Sequence, residues 1–200
     1  MGRPLISALL SGGHSVRALA RPGSEHRLPS GATAVRGDAL DAATFAAAIA
    51  PADSLVHLVG TAHPNPSKAR EFVDVDLASI RASVSASRSA GIDHLIYVSV
   101  AQPAPVMRAY VAARKEGEAA CRASAISVTI LRPWYVLGPG HRWPMLLKPL
   151  YALLESFKAT RESARRLGLV TLDQMVVALV YAVEHPASAL RIVEVPEIRA

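Results

Sequence analysis

Short, unbroken apolar runs alternate along this chain with longer stretches in which apolar residues recur every three or four positions. The runs suit strands buried on both faces, and the longer stretches suit helices with one apolar stripe. Their alternation predicts repeating β/α units around a mainly parallel sheet, an α/β doubly wound architecture. The chain opens on a helix over 4–10, with Pro4 in the first turn, where a missing N–H is tolerated, and Gly12-Gly13 closing it. Strands are predicted over 15–20, 33–35, 54–59, 94–98, 127–131 and 191–195. Helices are predicted over 42–49, with Asp41 as N-cap, over 70–90, stopped by Gly91, and over 106–124, near 145–157 and over 172–184. Segment 132–143 reads as irregular. No repeat, low-complexity tail or linker divides the sequence, so it is read as one domain over 1–200, with 131–200 supplying a small C-terminal cap.

Composition narrows the function classes. Two hundred residues suffice to bury a core without disulfide or metal staples. Hydrophobic residues make up 51% and charged ones 19%, which excludes a disordered chain. The single Cys121 can form no internal disulfide and no all-cysteine zinc cage, and it reads as helix packing. The net charge of +6 comes from arginines spread evenly along the chain. With neither a basic stripe nor stacking aromatics, no nucleic-acid partner is expected. No apolar run reaches the ~18–20 residues of a membrane span, and the amino end is a poor signal peptide, so the expected location is cytoplasmic. The 7 histidines form neither H-x-x-x-H nor H-E-x-x-H, so no metal site is expected. No G-x-S-x-G elbow points to a serine hydrolase.

A more specific likeness lies in an ordered set of segments. These are Gly2-Arg3-Pro4-Leu5-Ile6, Ala18-Leu19-Ala20-Arg21, Arg36-Gly37-Asp38-Ala39-Leu40 and Leu55-Val56-His57-Leu58-Val59-Gly60. Val75-Asp76, Leu95-Ile96-Tyr97-Val98-Ser99, Leu131-Arg132-Pro133 and Leu137-Gly138-Pro139-Gly140 follow. In this order, over nearly the whole chain, they resemble the short-chain dehydrogenase/reductases of the extended or atypical branch. NmrA-like and NAD-dependent epimerase/dehydratase-like proteins are the nearest groups. The resemblance implies an NAD(P)-binding Rossmann fold. It also implies an oxidoreductase or epimerase acting on a small carbonyl or hydroxyl substrate, the alternative being a non-catalytic redox sensor or complex-assembly protein.

The resemblance also assigns roles. Gly2 corresponds to the third glycine of the phosphate-binding turn, where a bare Cα allows close helix–strand packing beside a pyrophosphate at a helix N-terminus. Arg21 stands at the cofactor-selecting strand end, where an arginine accommodates a 2′-phosphate and an acid bonds a 2′-hydroxyl, so NADP is expected ahead of NAD. Asp38 and Ala39 fall on the adenine side, with a plain turn role for Asp38 left open. Val59 and Gly60 border the cofactor, and Ser99 and Pro133 lie toward its nicotinamide. Tyr110 takes the place of the catalytic tyrosine. Homodimers, where relatives form them, pair through helices such as those over 70–90 and 106–124.

The chain departs from the pattern in three places. Arg114, one turn after Tyr110, replaces a lysine, and Lys115, the lysine available for the ribose, falls about 140° around the helix from the tyrosine. Asp76 replaces an asparagine, and Val100 and Ala101 stand where a hydroxyl is usual. The first strand and first two glycines are also missing, so about ten residues of strand and turn are expected upstream of Met1. His141-Arg142-Trp143-Pro144 is read either as a substrate contact or as a loop anchored on the core.

Overall fold

The computed structural model describes residues 1–104, 106–138 and 167–200. Helix α1 (Gly2–Ser11) leads into β1 (Arg17–Ala20), which pairs in parallel with β2 (Thr33–Arg36), Arg17 opposite Thr33. The helix expected over 42–49 is broken. Asp41 accepts from the Ala43 N–H to cap a 3-10 turn, Ala42–Thr44, and a short α2 (Ala46–Ile49) follows. Phe45 leaves helical geometry at the break because its ring is taken into the core beside Val35 and Ile49. Packing overrides local propensity there.

Beyond β3 (Ser54–His57), one helical rod comprises α3 (Ala69–Glu71), a π-helical turn (Phe72–Leu77) and α4 (Ala78–Ser89). Gly91, at φ +66°, lets the chain turn out of the rod into β4 (His94–Val98). Helix α5 (Arg108–Arg122) then leads to β5 (Ser127–Arg132). Segment 132–143, expected to be irregular, instead contains β6 (Tyr135–Leu137), paired in parallel with β7 (Leu169–Thr171). Thr171 and Gln174 form a capping box that starts α6 (Leu172–Glu184), the predicted helix to the residue. The closing strand β8 (Leu190–Glu194) ends one residue early, because Val195 is buried at the start of a short α7 (Val195–Arg199). The helix expected near 145–157 lies outside the described residues.

β3, β4, β5 and β8 form a four-stranded parallel sheet in that order. Among the described residues β1 pairs only with β2, and β3 pairs only with β4 in the larger sheet, so each has one edge without ladder bonds. Side chains alternate across β4 and β5. Ile96 and Leu131 point into a core with Leu5 and Leu9 of α1 and Met175 and Leu179 of α6. Leu95, Tyr97, Val128 and Ile130 point the other way, against Leu77, Ile80 and Cys121. Helices thus cover both faces, which is why these strands read as continuous apolar runs. A side chain fully buried this way contributes about 1.5–3 kcal/mol. The two histidines inside the sheet are fully partnered. His94 bonds Ser54 and Thr129, each at 3.0 Å, and His57 meets the Ser83 hydroxyl at 2.9 Å and the Ser79 hydroxyl at 3.4 Å. Burial pushes the His57 imidazole down to about 3, assisted by the nearby Arg114 charge, so it stays neutral.

Candidate active site

Parallel strands bring their carboxyl ends to one edge, and the crevice outside that edge is where such sheets bind ligands. A cleft of about 220 Å³ opens there. Leu58, Gly60 and Thr61, just beyond β3, form one wall, and Val98, Ser99 and Val100, at the end of β4, form another. Pro133, Trp134 and Val136 close the side after β5. Tyr110 and Arg114 reach in from α5, and Met1, at the amino end of α1, completes the lining.

The charged heart of this wall is a buried ion pair. The π turn aligns Phe72, Asp76 and Leu77 on the inward side of the rod, and Asp76 is fully buried. Its Oδ1 accepts from Arg114 Nη2 at 2.5 Å. Its Oδ2 accepts from the Thr61 backbone N–H at 2.9 Å and the Thr61 hydroxyl at 2.6 Å. Arg114 Nη1 donates to the Val98 carbonyl at 2.9 Å. One carboxylate and one guanidinium therefore tie the ends of β3 and β4 to α5. Gly60 has to be glycine here, because a Cβ would run into the Arg114 guanidinium and come within 3.0 Å of Asp76 Oδ1.

Arg114 also lies against aromatic rings, its guanidinium carbon 5.1 Å from the Tyr110 centroid and 5.8 Å from that of Tyr97. The Tyr110 ring packs edge-on against Phe72 at 5.1 Å. Burial raises the Tyr110 phenol above the usual tyrosine range, Arg114 pulls it back and Asp76 pushes it up again.

Ser99 belongs to a second network. Its hydroxyl donates to Glu118 Oε1 at 2.7 Å, and the Gln102 amide donates to the same oxygen at 2.6 Å. Arg132 grips Glu118 with two hydrogen bonds of 2.5 and 2.9 Å and reaches Glu194 at 2.9 Å. Arg122 adds a bond of 3.0 Å. Burial opposes charge on Glu118, but the bonds from Arg132 and Ser99 hold its carboxyl below the usual range.

The structure thus brings Gly60, Ser99, Tyr110, Arg114 and Pro133 around one cleft. Lys115 is exposed and outside its lining, as the helical angle requires. Val59 is half-buried outside the lining. Arg21 is exposed just past β1. Asp38, beyond β2, folds its own turn, accepting from the Leu40 N–H at 3.0 Å while its N–H donates to Thr44; Ala39 beside it is half-buried. The tight packing expected at Gly2 is not used, since a Cβ there would meet nothing within 4 Å. Residues 139–144 lie outside the described residues. Among the described residues no helix is long and apolar enough to cross a membrane, and no cluster of metal-ligating side chains occurs. Thr61, Glu118 and Trp134 were not singled out from the sequence. Asp76 and Arg114 were noted separately, and their opposite charges at two departures from the family pattern were the available signal of a pair.

A family model described as NAD(P)H-binding matches residues 1–142. A curated relative, the ceramide reductase of Caulobacter vibrioides (strain NA1000 / CB15N), is 26% identical over 201 residues, covering 100% of this chain and 62% of the relative. The chain therefore spans less than two thirds of that relative's length. A short-chain dehydrogenase/reductase superfamily protein from Agrobacterium tumefaciens, solved with bound NAD, superposes with a TM-score of 0.67 at 19% identity, over 96% of this chain and 74% of that one. The Bordetella bronchiseptica enzyme WbmH in complex with NAD+ gives a TM-score of 0.68 at 16% identity, over 96% and 73%. The dTDP-glucose 4,6-dehydratase DesIV double mutant from Streptomyces venezuelae gives 0.69 at 17%, over 96% and 71%. What this chain shares with these structures is the Rossmann-like α/β fold.

Proposed function

Because the chain belongs to the NAD(P)H-binding family, we propose that it is one dinucleotide-binding domain, preferring NADP to NAD, that serves an oxidoreductase or epimerase-type reaction at a small carbonyl or hydroxyl carbon. The observation that carries this reading is the cleft at the carboxyl ends of β3, β4 and β5, with a phenol on its wall. The residues present suit a dinucleotide. The ten-residue α1 turns its positive end onto the cleft through Met1, and the turn after β3 is held side-chain-free at Gly60. Arg21 would receive a 2′-phosphate, Asp38 and Ala39 would border the adenine, and Gly2 would stand beside the pyrophosphate. A nicotinamide bound there would supply or accept a hydride. Tyr110 would move the proton of the substrate oxygen, while Pro133 and Trp134 shield the site from water.

The alternative, a non-catalytic NADP-binding redox sensor or assembly protein, draws support from one observation. The polar groups that share the cleft with the phenol are already engaged, Arg114 by Asp76 and the Val98 carbonyl, Ser99 by Glu118. Fluorescence titration with NADPH and NADH, followed by NADPH consumption over a carbonyl panel, separates the two. Since the curated relative is a ceramide reductase, a ceramide joins that panel. An enzyme loses at least about 100-fold in turnover in Tyr110→Phe with binding intact. Binding without turnover selects the sensor, and absence of binding overturns both.

A further inference from the structure

We propose that Asp76 is a positioning residue: by pairing with Arg114 it withdraws the guanidinium charge from Tyr110, which keeps its phenol proton and serves the cleft as a proton donor. This rests on the reading that Tyr110 handles the substrate proton.

A cation directly beside a tyrosine favours the tyrosinate. Arg114 is close enough to do this, 5.1 Å above the Tyr110 ring. Its Nη2 is nevertheless held at 2.5 Å from Asp76 and its Nη1 at 2.9 Å from the Val98 carbonyl. The pair is almost fully enclosed, with side-chain exposures of 7% for Arg114 and 0% for Asp76. Its two charges therefore act on the phenol together and oppose one another, on top of the larger effect of burial. Asp76 is fixed in turn from just beyond β3, by both donors of Thr61, so the guanidinium cannot swing toward the phenol without breaking its own two bonds, to Asp76 and to the Val98 carbonyl.

The groups that face Tyr110 are few. Arg114 comes from its own helix, and Asp76 and the uncharged Phe72 from the π turn, while Tyr97 of β4 meets the guanidinium. The opposing pulls on the phenol follow the same division. A protonated phenol suits reduction, where the oxygen of a carbonyl that has received hydride must be given a proton. That proton leaves Tyr110 and is replaced from solvent. The reverse reaction needs a base and would be favoured only at alkaline pH.

The test reads the phenol directly, in the full chain and without cofactor. Tyrosinate absorbance is titrated in the parent and in Asp76→Asn, each against its own Tyr110→Phe background, so that only Tyr110 is counted. Asp76→Asn leaves the cation uncompensated and moves the Tyr110 titration down by about one unit or more. The neutral pair Asp76→Asn/Arg114→Gln returns it to the parent position. An Asp76→Asn titration that coincides with the parent overturns the assignment. Should the single variant fail to fold, the neutral pair, which buries no lone charge, decides alone. A titration matching the parent upholds the assignment, and one well above it means that Arg114 does act on the phenol and the proposal falls. Absence of turnover in the parent removes the enzymatic reading but leaves these shifts in place, so the two failures are distinct.

Discussion

Glu118 should be the most sensitive single position for stability outside the apolar core. Its carboxylate is 1% exposed and receives Ser99, Gln102, Arg122 and both Nε and Nη2 of Arg132. In Glu118→Gln the shape is kept, but one acceptor oxygen becomes a donor facing donors. Breaking a buried pair by changing one partner typically costs about 3–5 kcal/mol. Arg132 keeps Glu194, and Arg122, with 41% side-chain exposure, can return to water, which places the loss at the lower end. A loss of about 3 kcal/mol, at about 2–4 °C per kcal/mol for a chain of this size, lowers Tm by about 6–12 °C. Urea unfolding followed by circular dichroism measures it. The sign with pH is also fixed. The folded carboxyl lies below its ordinary value of 4.5, so this contribution is whole above pH 4.5 and is lost as acid carries the folded group through its own titration. In Glu118→Gln that part of the acid limb flattens. The comparison variant is Arg122→Ala, whose guanidinium is 41% exposed and whose loss costs at most about 1 kcal/mol. If Glu118→Gln loses less than Arg122→Ala, the network carries no stability and the reasoning fails.

Other expectations follow from single residues. Arg21→Ala should weaken NADPH binding at least about tenfold and leave NADH unchanged in fluorescence titration, since only the 2′-phosphate needs the arginine. Gly60→Ala should push Arg114 off Asp76 and reduce dinucleotide affinity with little change in secondary structure, measured by titration and circular dichroism. His57, neutral in the fold down to about 3, takes up a proton only on unfolding below its ordinary 6.5. Stability therefore falls by about 1.4 kcal/mol per pH unit across that interval on its account, and His57→Asn should flatten the slope in denaturant titrations.

The strand–helix alternation was legible because buried parallel strands are apolar on both sides, as at 94–98 and 127–131, and the long apolar stretch over 172–184 gave α6. The β6–β7 pairing was not legible. Three-residue strands such as Tyr135–Leu137 and Leu169–Thr171 carry no periodicity, and the partner lies 34 positions away. Phe45 broke a helix for a tertiary reason. In the site, Tyr110 followed from the family resemblance, and the facing of Arg114 and Lys115 from helical geometry. Glu118 did not, since a glutamate within a helix rich in charge reads as a solvated face until Arg132 and Ser99 close over it. Thr61 was equally silent, because nothing in a loop sequence shows that a buried aspartate fifteen residues later will take both of its donors.

The separation of β1–β2 from the larger sheet bears on how the molecule opens. The pair is joined to the rest by side-chain packing around Val35, Phe45, Ile49, Ala86 and Ile92, and by a bond from Arg17 to the Pro51 carbonyl, with no backbone ladder to β3. Elements held this way form their own cooperative unit. Amide protons of residues 17–20 and 33–36 should exchange through a local opening of lower free energy than those of β4 and β5. A dinucleotide that bridges Arg21 and the cleft would have to close that opening as it binds. Nucleotide affinity would then carry the free energy of docking the β1–β2 unit onto the larger sheet, and hydrogen exchange in β1–β2 would slow on binding while exchange in β4 and β5 stayed nearly constant.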